Sequence, residues 1–250
     1  MTAQLAHIFR HPIKAHGREE LASVLLSAGA CLPFDRHWAV AHEAARLSPG
    51  TWGPCANFSR GAKAPALMAI AARLDEPTRS VTLTHPDRPA ITIRPDDPAD
   101  LAPLLSWLAP LVPADRAKPA SLHSADRGLT DTDFASVSIL ALASNRALGQ
   151  RMGHALSIHR WRGNLWIEGT APFEEFDWVG RRLRIGAAEL EVVEPITRCK
   201  ATTANPDTGR VDADTLGALN TLYGHQDFGV YARVLGGGMI ATGDRLELLP

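Results

Sequence analysis

Apolar residues in this chain come in short runs. Ser80-Val81-Thr82-Leu83, Ala90-Ile91-Thr92-Ile93, Leu183-Arg184-Ile185, Leu190-Glu191-Val192, Val230 to Val234 and Leu246-Glu247-Leu248 are three to six residues long. Runs of that length, bounded by glycine, proline or polar clusters, favour strands over helices, because a helix needs a longer stretch to bury a face. Many short strands with a few helices predict a mainly β, barrel-like fold that carries its chemistry on loops.

The same pattern places individual elements. His7 to Lys14 reads as a strand that Pro12 confines to a sheet edge or end, and Arg36-His37-Trp38-Ala39-Val40 reads as a second strand. Leu21, Val24 and Leu25 fit a strand or a short helix. His85-Pro86-Asp87-Arg88-Pro89 joins two strands as a hairpin. Asp97 before Pro98 reads as a helix cap, followed by Leu101, Leu104, Leu105 and Leu108 on one face. Pro113 to Asp133 is polar and unpatterned, which predicts a linker or a loop bordering a site. A boundary there divides the chain into domains 1–115 and 116–250. Helical spacing over Ser138–Met152, closed by Gly153, predicts a helix, and His159–Ile167 a strand.

Composition narrows the function. With 250 residues, 45% of them hydrophobic, the chain can bury one large core or two modest ones. A net charge of -1 leaves no footprint for nucleic acid or an anionic membrane surface. No apolar stretch approaches the roughly 20 residues a membrane helix needs, and the first residues lack a leader pattern, so a cytoplasmic protein is expected. Cys31, Cys55 and Cys199 are too few and too scattered for a disulfide framework or a zinc or iron–sulfur site. His7 and His11 are four residues apart, but no third metal ligand is local.

The most informative stretch runs from Glu194 to Gly209. Pro195 is read as the end of a strand and Asn205-Pro206-Asp207-Thr208-Gly209 as a turn, so Cys199 is expected at a loop. Arg198 and Lys200 flank it, and adjacent cations favour the charged form of a thiol, which is the nucleophile and soft-metal ligand. Asp207 and Thr208 are expected to build the turn.

This cysteine loop resembles the signature of the MOSC family: proline, an Arg-Cys pair, threonines, then a Pro-Asp-Thr-Gly turn. Phe173-Glu174-Glu175-Phe176-Asp177-Trp178 and Leu183-Arg184-Ile185-Gly186 resemble the elements that precede it in the family. Phe228-Gly229-Val230-Tyr231-Ala232, Gly238-Met239-Ile240 and Gly243-Asp244 resemble those that follow. In the first half, His11-Pro12-Ile13-Lys14 and Asp35-Arg36-His37-Trp38 resemble motifs of the β-barrel domain that accompanies MOSC in its amidoxime-reducing branch. Ala15 stands where that family often has serine, and Gly163 replaces the proline of an Arg-Pro-Asn element.

The resemblance implies an N-terminal MOSC β-barrel domain, a MOSC domain and a molybdenum cofactor of the molybdopterin pyranopterin type. Cys199 would be the metal ligand, and Lys14, Arg36, Arg162 and Asn164 would bind the cofactor, whose anionic phosphate needs cations and amide donors. Ser136 and Ser138, expected just before a helix, are weaker candidates for that anion. Tyr231 is a candidate catalytic residue facing a small-molecule substrate, and His225 a candidate proton donor, although a surface role is commoner. The implied activity is an oxidoreductase acting on N-hydroxylated or N-oxide compounds, fed by a separate reductase or a ferredoxin-type protein because the chain has no electron-transfer motif of its own. The alternative is a cofactor carrier or sulfur-transfer module that uses a Cys199 persulfide. A cysteine hydrolase fits less well, since no histidine is locally placed as base.

Overall fold

A strand whose residues alternate between polar and apolar can bury one face only, and the computed structural model, which describes residues 3–250, is built mostly of such strands. In chain order they are β1 (Gln4–Arg10), β2 (Ile13–Lys14), β3 (Glu19–Leu21), β4 (Ser23–Leu26), β5 (Trp38–His42), β6 (Ala71–Asp75), β7 (Ser80–His85), β8 (Arg88–Ile93) and β9 (Pro119–Ser124). After them come β10 (Val137–Ala141), β11 (Leu165–Glu168), β12 (Arg182–Ile185), β13 (Ala188–Thr197), β14 (Asp227–Gly236), β15 (Gly238–Ala241) and β16 (Leu246–Leu248). Three α-helices punctuate them: α1 (Leu101–Leu108), α2 (Leu142–Met152) and α3 (Thr215–Tyr223).

The largest sheet has eight strands in the order β16-β12-β13-β14-β10-β11-β1-β3. Its pairings are antiparallel except β10 with β11. Successive residues on its central strands feed opposite cores. Ile139, Leu165 and Ile167 point into one cluster with Leu5, Ile8 and Val230. Leu140 and Trp166 point into another with Phe9, Leu148, Trp161, Leu219 and Phe228, which α2 and α3 help to cover. A third cluster, centred on Trp38, Val81, Leu83, Leu104 and Trp107, lies among β5, β7 and α1. Two three-stranded sheets, β2-β5-β9 and β6-β7-β8, surround it, while β4 pairs with β15.

The chain's two halves interleave. β1 crosses to pair with β11 beyond residue 164, and β9 returns to pair with β5. Pro12 lies between β1 and β2, outside both, and β2 is an edge strand. The hairpins β7–β8 and β12–β13 form as expected. Asp97 caps its turn by accepting from the Ala99 amide, and a 3-10 turn leads into α1.

Four local expectations are overturned. Val137–Ala141 is a strand with every residue buried, and the helix starts only at Leu142; a short apolar run buried on both faces carries no period that separates strand from helix. Gly153 does cap α2 in the left-handed conformation, at φ 78°. The segment from His159 begins in a 3-10 turn, Ile158–Trp161, and Arg162 takes a positive φ of 49°, which delays β11 to Leu165. Within the segment expected to be a linker or a loop bordering a site, Pro119–Ser124 forms β9, because five of its residues find a partner on β5; Asp131, further along it, does border the cleft. Finally, β13 continues through Pro195 to Thr197; there it pairs with β14 alone, so the proline nitrogen faces a free edge.

Candidate active site: a basic cleft with an open thiol

The loop that carries Cys199 is held by its threonines. Cys199 is extended, and its carbonyl accepts from both the amide and the hydroxyl of Thr202, each at 3.1 Å. Thr202 is buried and shares a 2.7 Å hydrogen bond with Thr215 at the start of α3. Beyond it, Asn205 Oδ1 accepts from the Asp207 amide and Thr208 Oγ1 from the Arg210 amide, so the following turn is structural. This scaffolding leaves Cys199 exposed, whereas Cys31 is buried.

Cys199 opens onto a cavity of about 260 Å³ lined by both halves of the chain. Lys14, Ala15, Arg36, Cys55, Arg60 and Asp131 contribute from before β10, and Arg160, Arg162, Arg198, Thr202 and Tyr231 from after it. Basic residues dominate: Lys14, Arg36, Arg60, Arg160, Arg162 and Arg198 face the single carboxylate of Asp131.

Their pairing decides which charges are available. Lys14 is buried and donates to Leu129 O and, at 2.6 Å, to Asp131, which is half-exposed. Burial pulls the Lys14 ammonium below its ordinary range, and Asp131 opposes that. Arg36 is paired with the buried carboxylate of Asp35 and also donates to the Arg162 carbonyl at 2.9 Å, so it braces the Arg162 turn. Arg160 reaches Asp212 at 2.6 Å, but its Nε is buried with no partner. Among the described residues, Arg60, Arg162 and Arg198 have no carboxylate partner. Arg60 donates to Cys55 Sγ at 3.0 Å, Arg162 to Gly17 O at 3.1 Å, and Arg198 to the carbonyls of Trp161 and Phe228.

Burial pushes Arg162 down to about 9, helped by Arg36, and Arg198 down to about 10; both stay cationic at neutral pH. Tyr231 lies on β14 at the cavity wall, where burial and the nearby Asp131 push its phenol up to about 12, leaving Oη protonated. Behind the wall, Trp161 stacks on Phe228 with ring centroids 3.8 Å apart, and the Arg198 guanidinium lies 5.7 Å from the Trp161 ring.

The structure therefore gathers Cys199, Tyr231, Lys14, Arg36 and Arg162 around one cleft. It does not bring Asn164 or Ser136 there. Asn164 is buried, accepting from the Ser138 amide and hydroxyl and donating to Phe9 O. Ser136 is buried too, its hydroxyl accepting from Thr132 at 2.8 Å. No helix begins at either serine, since Ser138 is inside β10. His225 does not line the cavity; its Nδ1 accepts from the Asp227 amide. His7 pairs with Glu20 and His11 with Asp35, and among the described residues no three or more His, Cys, Asp or Glu side chains are clustered to hold a metal.

Cys55, Arg60, Asp131 and Arg160 escaped sequence reasoning. Cys55 and Arg60 lie beyond a Gly- and Pro-rich loop, a hint that the local pattern alone does not turn into a site. Gly163 also has a local reason. A Cβ there would come within 2.2 Å of Leu140 Cδ1, and a proline would push Arg162 away from its left-handed turn toward extended backbone.

Fold and cleft together define a mainly β protein of two interleaved halves with a cation-lined, thiol-bearing cleft between them. Residues 2–108 match the MOSC N-terminal beta barrel domain and residues 126–247 the MOSC domain, and the chain belongs to the MOSC family. Over 131 residues it is 29% identical to molybdenum cofactor sulfurase of Anopheles gambiae, covering 48% of this chain and 17% of that protein. Over 80 residues it is 38% identical to mitochondrial amidoxime reducing component 2 of Bos taurus, covering 32% of this chain and 23% of the relative. Over 130 residues it is 32% identical to mitochondrial amidoxime-reducing component 1 of Mus musculus, covering 47% and 38%. The chain thus spans well under half the length of these relatives. No helix among the described residues is long and apolar enough to cross a membrane.

Proposed function

We propose that the chain binds a molybdenum cofactor in this cleft, with Cys199 as the protein's thiolate ligand, and that it reduces N-hydroxylated or N-oxide small molecules. The carrying observation is the pairing of one exposed thiol with guanidinium groups that have no carboxylate partner. Buried cations without counter-ions are costly, and an anionic ligand offsets that cost through charge-assisted hydrogen bonds. The donor set fits such a group: Arg162, Arg198 and the unpartnered Nε of Arg160 suit the phosphate and pterin oxygens, and Cys199 suits a soft metal.

Bound there, the cofactor would supply a two-electron redox centre for removing oxygen from substrate. The chain's own residues orient and hold protons. Arg36 fixes the Arg162 turn, Lys14 and Asp131 close one wall, and the protonated Tyr231 Oη donates a hydrogen bond to a substrate oxygen. An N-hydroxylated substrate takes up two electrons and two protons and gives the parent amine or amidine and water. The electrons come from a separate reductase or ferredoxin-type protein.

Metal analysis of protein from a molybdenum-replete host tests this. Wild type is expected to hold molybdenum and, with an electron donor, to turn over a benzamidoxime-like compound. Cys199→Ala is expected to lose the metal and at least a hundred-fold in turnover. Undiminished metal and turnover in that variant would remove the reading. The exposure of the Cys199 sulfur also favours a second reading, sulfur transfer through a persulfide. Mass spectrometry showing a persulfide on Cys199, together with absent reductase activity, would select it. A cysteine hydrolase lacks its base, as no histidine lines the cavity.

A further inference from the structure

A second cavity of about 250 Å³ lies beside the cleft on the face of the first half. It is walled by His42 at the end of β5, by the loop from Phe58 to Ala64, and by the segment Val112–Ala117 that follows α1. Arg60 lines both this cavity and the cleft, so the two share a wall.

Polar atoms in this wall lack partners. Ser59 is only 8% exposed, and its Oγ is buried with no hydrogen bond. His42 Nε2 lies 2.7 Å from the Ala56 carbonyl, which can only accept, so Nε2 donates there and Nδ1 is left for another partner. That Nδ1 is buried and unpartnered as well. Leaving such groups unsatisfied costs free energy, which a ligand that bonds them would recover. Lys63 and Arg60 add two cations with no carboxylate partner among the described residues, whereas Arg116 at the rim has Asp115 at 3.6 Å.

We propose that this cavity binds the phosphate group of a small organic molecule, held by the Ser59 hydroxyl, Lys63 and Arg60. The donors are a hydroxyl, an ammonium and a guanidinium, a non-planar set that suits tetrahedral oxygens better than a flat carboxylate. Phe58 and Val112 give the carbon part of the ligand an apolar surface. Drug-sized ligands need cavities of about 300–1,000 Å³. The smaller space here suits a phosphate with a few attached carbons, either a free metabolite or the phosphate end of an extension on the cofactor itself.

Isothermal titration of the full chain with glycerol 3-phosphate tests the assignment. Wild type is expected to bind, and Ser59→Ala and Lys63→Gln each to weaken binding at least ten-fold while unfolding at the wild-type temperature. Arg162→Lys, which alters the cleft alone, is expected to retain it. No binding by wild type, equal binding by both cavity variants, or loss in Arg162→Lys alone would overturn the proposal. Protein loaded with cofactor separates the sources. Blocked binding of the probe assigns the cavity to the phosphate end of an extension on the cofactor, and unchanged binding assigns it to a separate molecule. Because the probe is titrated into cofactor-free protein first, a failure of the molybdenum reading leaves this result standing on its own.

Discussion

Asn164 sits at a motif position, yet every polar atom of its side chain is spent inside the protein. It ties β10 to β1 by taking both hydrogens that Ser138 offers and giving one to Phe9 O. Asn164→Ala strands those buried groups, at about 1–3 kcal/mol, and is expected to lower the thermal midpoint by several degrees. An unchanged melting curve in that variant would contradict the assignment. Arg162, nominated from its motif position, lines the cleft, though not in the way the strand pattern suggested. The pattern suggested a strand, in which its side chain would alternate with its neighbours; a positive φ instead turns the guanidinium into the cleft. A left-handed backbone at a non-glycine residue has no signature in one sequence, because arginine adopts it only when the surrounding contacts impose it.

Elements with a local cause were legible. The β7–β8 and β12–β13 hairpins follow from alternation and turn residues, and α1 follows from the Asp97-capped turn that leads into it and from its row of leucines. Asp97→Ala removes the side chain that accepts from Ala99 and also pairs with Arg94, and should cost about 1 kcal/mol. Urea titration is the measurement, with cofactor content expected to stay constant; a shift above about 3 kcal/mol would mean the residue does more than cap. β9 and β10 were not legible, for opposite reasons. β9 is polar on its surface and exists because β5 supplies partners. β10 is buried throughout and sits at the centre of a sheet with cores on both sides, so its period vanishes.

The molecule as a whole stores a pH dependence near its cleft. Burial, then Arg162, pushes His11 down to about 3, and burial pushes His16 down to about 4. In the unfolded chain both return to roughly 6.5. Below that pH the unfolded state takes up protons that the native state refuses, so stability present above about 6.5 is lost as pH falls through the folded values. Asp35 adds to the loss at lower pH: burial works against its charge, but Arg36 and His11 hold its carboxyl well below the usual range. Each histidine contributes at most about 1.4 kcal/mol per pH unit. The urea midpoint is expected to fall between pH 7.5 and 5.0, and His16→Gln to make that fall shallower. Equal midpoints at the two pH values would show that these rings are protonated in the native state. From residue order alone came the β class, the cysteine loop and its flanking Arg198, because spacing, turn chemistry and local charge are properties of neighbouring residues; Lys14, Arg36 and Arg162 were nominated only by the resemblance to the MOSC family. Which cations remain unpaired, the arrival of Cys55 and Asp131 beside them, the loss of Asn164 and Ser136 to the interior, and the second cavity were decided by tertiary structure. Those depend on strands far apart in the chain lying side by side, and pairing across such distances is settled only by the closure of the whole core.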